Sequence, residues 1–148
     1  MSNESVFVRE LKNSIIHHAV EKGLAPPVCV KLHGSPILSS MPDILVQHPE
    51  KGTMFIECKV RPMPKRSFNL FQGVTDNQRG MMRALREAGG LVYLAVRLGN
   101  KDMLLVKLDE IMQGFSKGFI EYPIDPKQEV LSTAITVHTK FKGIWSNL

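Results

Sequence analysis

The chain has 148 residues, 43% of them apolar and 22% charged, a globular composition that excludes disordered and fibrous classes. Two cysteines, Cys29 and Cys58, are too few for a disulfide framework and lack CxxC spacing, so a reducing compartment is expected. The net charge is +5 and unevenly placed: eight Lys and Arg against two acids between Val60 and Lys101, which favours a polyanionic partner.

A chain of this length can bury a core without covalent staples, and a single domain over 1–148 is expected. The longest apolar run, 91–96, is six residues, far short of the roughly twenty a membrane helix needs. Residues 1–10 carry acids and no apolar stretch of the secretory type, so a cytoplasmic protein is expected.

Phe7, Leu11, Ile15 and Ile16, followed by Gly23, predict a helix over 4–22. Pro26 and Pro27 break it. Val28, Cys29, Val30 and Leu32 suggest a first strand and 33–36 a turn. Strands over 43–47 and 53–60, joined by a polar turn over 48–52, make a β-hairpin. Residues 61–71 form a basic loop with two prolines. A helix follows over 75–88, with Thr75 or Asp76 as N-cap and Gly89-Gly90 as its end. The β-branched run 91–98 predicts a buried strand, and 103–107 another. Beyond lie a short helix over 108–112, loops, and a strand over 134–137. The order is αβββαβ, an α/β arrangement, with a core over about 4–107 and a C-terminal extension over 108–148.

The hairpin carries the chemistry. If 48–52 is the turn, Gln47 pairs with Thr53 and Asp43 falls opposite Glu57. Directly opposed residues share a face with Cβ atoms about 5 Å apart. Two carboxylates so close repel unless a hard divalent cation lies between them. Lys59 projects from the same face as Glu57, and a lysine beside two metal-bound carboxylates can orient water or offset phosphoryl charge. Ile56 and Cys58 alternate with this pair and should face the core, which makes Cys58 a small buried hydrophobe rather than a nucleophile.

Pro42-Asp43 and Glu57-Cys58-Lys59 resemble the signature of the PD-(D/E)XK nuclease superfamily, whose restriction-endonuclease-like fold sets a mixed central sheet between helices. Within it, Lys65-Arg66-Ser67-Phe68-Asn69-Leu70, Gln78 near the start of a helix, and Gly89-Gly90-Leu91-Val92-Tyr93 are similar to RecU-type Holliday junction resolvases. A second similar group is the VRR-NUC nucleases. The likeness implies a metal-dependent endonuclease and, in the resolvase case, a homodimer acting on four-way DNA junctions. It implies Asp43 and Glu57 as ligands of Mg²⁺ or Mn²⁺, joined by the Cys58 carbonyl, with Lys59 supporting the attacking water. The chain departs from RecU in being shorter, lacking a basic N-terminal arm, and ending in an unfamiliar tail. A VRR-NUC-like enzyme on flap, nicked or duplex DNA, or a non-catalytic nucleic-acid-binding relative, is the alternative.

Superfamily members often carry a further acid on the first helix; Glu4 and Glu10 both qualify, and Glu10 is favoured because Glu4 lies in the fraying first turn. Gln78 shares a helical stripe with Met82 and Leu85, so it is either a satisfied core amide or an active-site positioner, the likeness favouring the latter. Arg79, Arg83 and Arg86 form a row clear of that stripe and, with Lys65, Arg66 and Ser67, are the candidate DNA contacts. Phe68 and Phe71 either stack on unpaired bases or anchor the loop. His17 and His18 read as surface or boundary residues, since the histidines show no metal-site spacing.

Overall fold

The computed structural model describes residues 3–32, 40–48, 52–63, 65, 67–69, 71–99, 102–108, 119–121 and 135–139. The turn expected over 33–36, Arg66, the helix expected beyond 108 and most of the C-terminal extension lie outside them.

The first element is the helix α1 (Asn3–Glu21), which buries Phe7, Val8, Leu11, Ile15 and Ala19, a stripe at steps of mostly four residues. It stops at Gly23, whose φ of 76° few other residues adopt comfortably. Three antiparallel strands follow: β1 (Val28–Lys31), β2 (Ile44–His48) and β3 (Gly52–Arg61). After β4 (Ser67–Asn69) comes the helix α2 (Asp76–Glu87), then β5 (Leu91–Leu98), β6 (Asp102–Lys107), β7 (Phe119–Glu121) and β8 (Ile135–Thr139). With β4, which lies outside the main sheet, set aside, α1-β1-β2-β3-α2-β5 is the expected αβββαβ order.

Six strands form one mixed sheet in the order β1-β2-β3-β5-β6-β8. Among the described strands only β3 and β5 pair in parallel, and α2 makes the crossover such a pair requires. The pleat sorts side chains to two cores. Ile44, Ile56, Cys58, Tyr93, Ala95 and Leu105 pack with the α1 stripe. Phe55, Val92, Leu94, Val96 and Leu104 pack with Met82 of α2 and with Phe71. β5, covered on both faces, is therefore the near-continuous apolar run that its sequence shows.

One expectation for the segment after β3 changes, and one open choice is decided. Ser67–Asn69 is not loop but the strand β4, paired antiparallel with β7 in a separate two-stranded sheet. The pairing partner lies some fifty residues on, beyond the reach of local pattern. Phe71 is only 8% exposed and belongs to the α2-side core, so it anchors the chain instead of presenting a ring to solvent.

Candidate active site

The hairpin register is the expected one: Gln47 faces Thr53 and Ile44 faces Ile56, so the ladder carried one step further sets Asp43 opposite Glu57. The turn is tied by a bond from Thr53 Oγ1 to Gln47 Oε1 of 2.8 Å. Asp43 itself is held from two sides. Its carbonyl accepts from the Leu32 amide at 2.8 Å, and its Oδ2 accepts from the Cys58 amide at 2.8 Å.

That second bond shapes the site. Past Ile56 the strand β3 has no β2 residue beside it, and the Asp43 carboxylate takes the place of the missing strand. In extended backbone a residue's N–H and C=O leave on the same side, so the Cys58 carbonyl is directed to the edge where Asp43 sits. The Cys58 side chain is fully buried in the α1-side core, and burial, reinforced by Asp43 and Glu57, pushes its thiol well above the ordinary range. It is inert as a nucleophile at neutral pH.

Glu57 is 1% exposed and Lys59 8%, in the middle of the sheet. Charged groups are rarely found so deep unless they are paired. Lys59 Nζ lies 3.6 Å from Glu57 Oε1 and 3.8 Å from Oε1 of Glu4 in the first turn of α1. These are ion pairs too long to be hydrogen bonds, and they leave the ammonium suspended between two acids. Glu57 Oε2 is buried and accepts no hydrogen bond. Burial first, then the charge of Asp43 and a hydrogen bond that the protonated Glu57 carboxyl shares with it, push that carboxyl from 4.5 up to about 8, against the pull of Lys59.

A divalent cation fits this arrangement. With Glu57 ionised, Asp43, Glu57, Glu4 and Lys59 carry a net charge of −2, and the orphaned Oε2 lacks the partner a buried acceptor requires. Asp43, Glu57 and the Cys58 carbonyl are oxygen donors, the set preferred by Mg²⁺ and Mn²⁺. Among the described residues no three His, Cys, Asp or Glu side chains form a cage by themselves. Such an ion would complete its shell with water, as Mg²⁺ usually does.

Other expected site residues fall elsewhere. Glu10, favoured from sequence as the helix acid, accepts instead from Arg97 Nη1 at 2.7 Å, and Glu4 is the acid that reaches Lys59. The two acids are almost two turns apart, and the Arg97 partner, on β5, is invisible to local pattern. Gln78 turns its side chain back on its own helix: its Oε1 accepts from the Thr75 amide at 3.0 Å, and its amide donates to Thr75 Oγ1 at 3.1 Å. This is a capping box, whose T-x-x-Q signature stands in the sequence. Arg79 and Arg83 are exposed and Arg86 half-buried, with the Arg79 guanidinium 4.5 Å above the Phe71 ring. Lys65 is exposed; the side chains of Ser67 and Phe68 are outside the described set. His17 and His18 both contact Glu21 at 3.1 Å at the far end of α1.

No protein-family model matches the chain, and no curated protein sequence is significantly similar to it. The fold, by contrast, is similar to that of Hjc, a Holliday junction resolvase of the archaeal hyperthermophile Archaeoglobus fulgidus. The TM-score is 0.53 at 12% sequence identity, with 85% of this chain and 93% of that chain covered. The α/β architecture is thus a restriction-endonuclease-like one. Among the described residues, no helix is long and apolar enough to cross a membrane.

Proposed function

We propose that the chain is a divalent-metal-dependent endonuclease that hydrolyses phosphodiester bonds in branched or otherwise structured DNA. The observation that carries this reading is the Asp43–Glu57 carboxylate pair at the open end of the β2–β3 hairpin, with Glu57 buried and a lysine beside it. The likeness in fold to a junction resolvase supports the substrate class, and the basic stretch from Val60 to Lys101 supports a polyanion.

Asp43 and Glu57, with the Cys58 carbonyl, would hold Mg²⁺ or Mn²⁺. A cation bound there supplies Lewis-acid chemistry, making a water more acidic and offsetting charge on the phosphoryl group. Lys59 directs positive charge to that water or to a phosphoryl oxygen, and Glu4 keeps the ammonium from collapsing fully onto Glu57. The Cys58 amide fixes the Asp43 carboxylate, so its free oxygen keeps one orientation. Lys65, Arg79 and Arg83 offer phosphate contacts along the α2 side. By resemblance, the chain works as a homodimer in the cytoplasm, in DNA recombination or repair.

The test is a panel of four-way junction, flap, nicked duplex, duplex, single strand and RNA, incubated with Mg²⁺ or Mn²⁺. Metal-dependent cutting of the junction above the others is expected. Outer-shell changes at metal sites already cost about 10–100-fold, so Asp43→Asn and Glu57→Gln should each cost more than about 100-fold. Cutting that survives both changes would remove the assignment.

A further inference from the structure

A cleft of about 620 Å³ opens between the first half of α1 and the ends of β3 and β5, lined among others by Asn3, Glu10, Val60, Arg61, Pro62 and Arg97. It adjoins the carboxylate site without being part of it. Asn3 precedes Glu4, Val60 follows Lys59, and Arg97 faces Val60 across the β3–β5 ladder. Its size falls in the roughly 300–1,000 Å³ range of small-ligand clefts.

The cleft is built around a fixed guanidinium. Arg97 donates to Glu10 at 2.7 Å and sits 6.0 Å from the Phe7 ring centroid, so one edge and one face are held. Glu10 is its one side-chain hydrogen-bond partner among the described residues, and a guanidinium carries five N–H donors. Arg61, the residue after Val60 on β3, turns its guanidinium to the other face of the sheet, against Gly73, where φ is +80° and a Cβ would have no room. Arg97 and Glu10 balance in charge, so an incoming phosphate must draw the guanidinium away from the carboxylate. Planar forks of this kind match phosphate oxygens two at a time.

We infer that this cleft is a subsite for the phosphate next to the one cleaved, with Arg97 as a positioning residue poised by Glu10. The inference rests on the nuclease reading. Glu10 neutralises Arg97 while no nucleic acid is bound and competes with the incoming phosphate.

Opposite signs test it. In Ca²⁺, anisotropy of a labelled four-way junction on the Asp43→Asn chain reads binding without cutting. Arg97→Gln should weaken binding by about tenfold, the scale of a charge-assisted hydrogen bond, and Arg97→Lys by less. Glu10→Gln should tighten it. A neutral methylphosphonate at one position, adjacent to the cut mapped with the parent chain, should abolish the Arg97→Gln penalty. Weaker binding in Glu10→Gln as well, in step with a lower melting temperature, would mark a structural ion pair and overturn the inference, as would unchanged affinity in Arg97→Gln and Arg97→Lys. Opposite shifts in a parent chain that cuts nothing would sustain the phosphate subsite and discard the nuclease reading.

Discussion

Glu57 is held in a position that suits an ionised carboxylate poorly. Its carboxyl is raised to about 8, above the value near 4.5 it has in an unfolded chain, chiefly by burial. The fold therefore retains a proton that the unfolded chain releases. The stability this contributes is fully present below about pH 4.5 and is lost as pH rises through about 8. In metal-free protein, melting temperature should fall across that window, and Glu57→Gln should flatten the fall. Mg²⁺ should raise the melting temperature more at the alkaline end, because the ion competes with the proton. An identical pH profile in Glu57→Gln would locate the titration elsewhere. Gln78 gives a second residue-scale test. Its side chain closes the α2 capping box, so Gln78→Ala and Thr75→Ala should each cost about 1 kcal/mol in denaturant unfolding. A collapse of kcat at unchanged stability would return Gln78 to the catalytic set. The sequence marked Asp43, Glu57 and Lys59 because alternation along a strand is local, whereas the choice between Glu4 and Glu10 depended on how α1 lies against β3 and β5.

At the scale of elements, what could be read followed the range of the interactions. The hairpin register was legible because the polar turn and the alternation of Ile44, Val46, Met54 and Ile56 agree on one pairing. The buried strand β5 announced itself as a β-branched run. The β4–β7 ribbon did not, because three-residue strands carry little propensity and their partners lie far apart in the chain. α2 has one strongly buried residue, Met82, and spends much of the rest of its surface on charge. Replacing Arg79, Arg83 and Arg86 together by Ala should therefore reduce the salt slope of DNA binding by up to about 2–3, near 0.9 for each phosphate that is no longer neutralised. An unchanged slope would make the row ordinary solvated surface. Arg79→Ala also strips the cover from Phe71, so stability must be measured in parallel.

The molecule as a whole combines a restriction-endonuclease-like architecture with a sequence that matches no family model and shares 12% identity with Hjc. The two facts are compatible, since a mixed sheet between helices needs only apolar pattern and turn chemistry, which many sequences supply. The architecture then decides where charge can be concentrated. β2 stops at Ile44 while β3 continues to Arg61, so one strand edge is left for Asp43 to cap and for Glu4 to approach. The most direct test of the account is a crystal soaked in Mn²⁺ and measured for anomalous scattering. A peak bounded by the Asp43 carboxylate, Glu57 Oε2 and the Cys58 carbonyl, absent in Glu57→Gln, is the expected result. Manganese elsewhere on the protein, with Glu57 still protonated and nothing between the two acids, would contradict it.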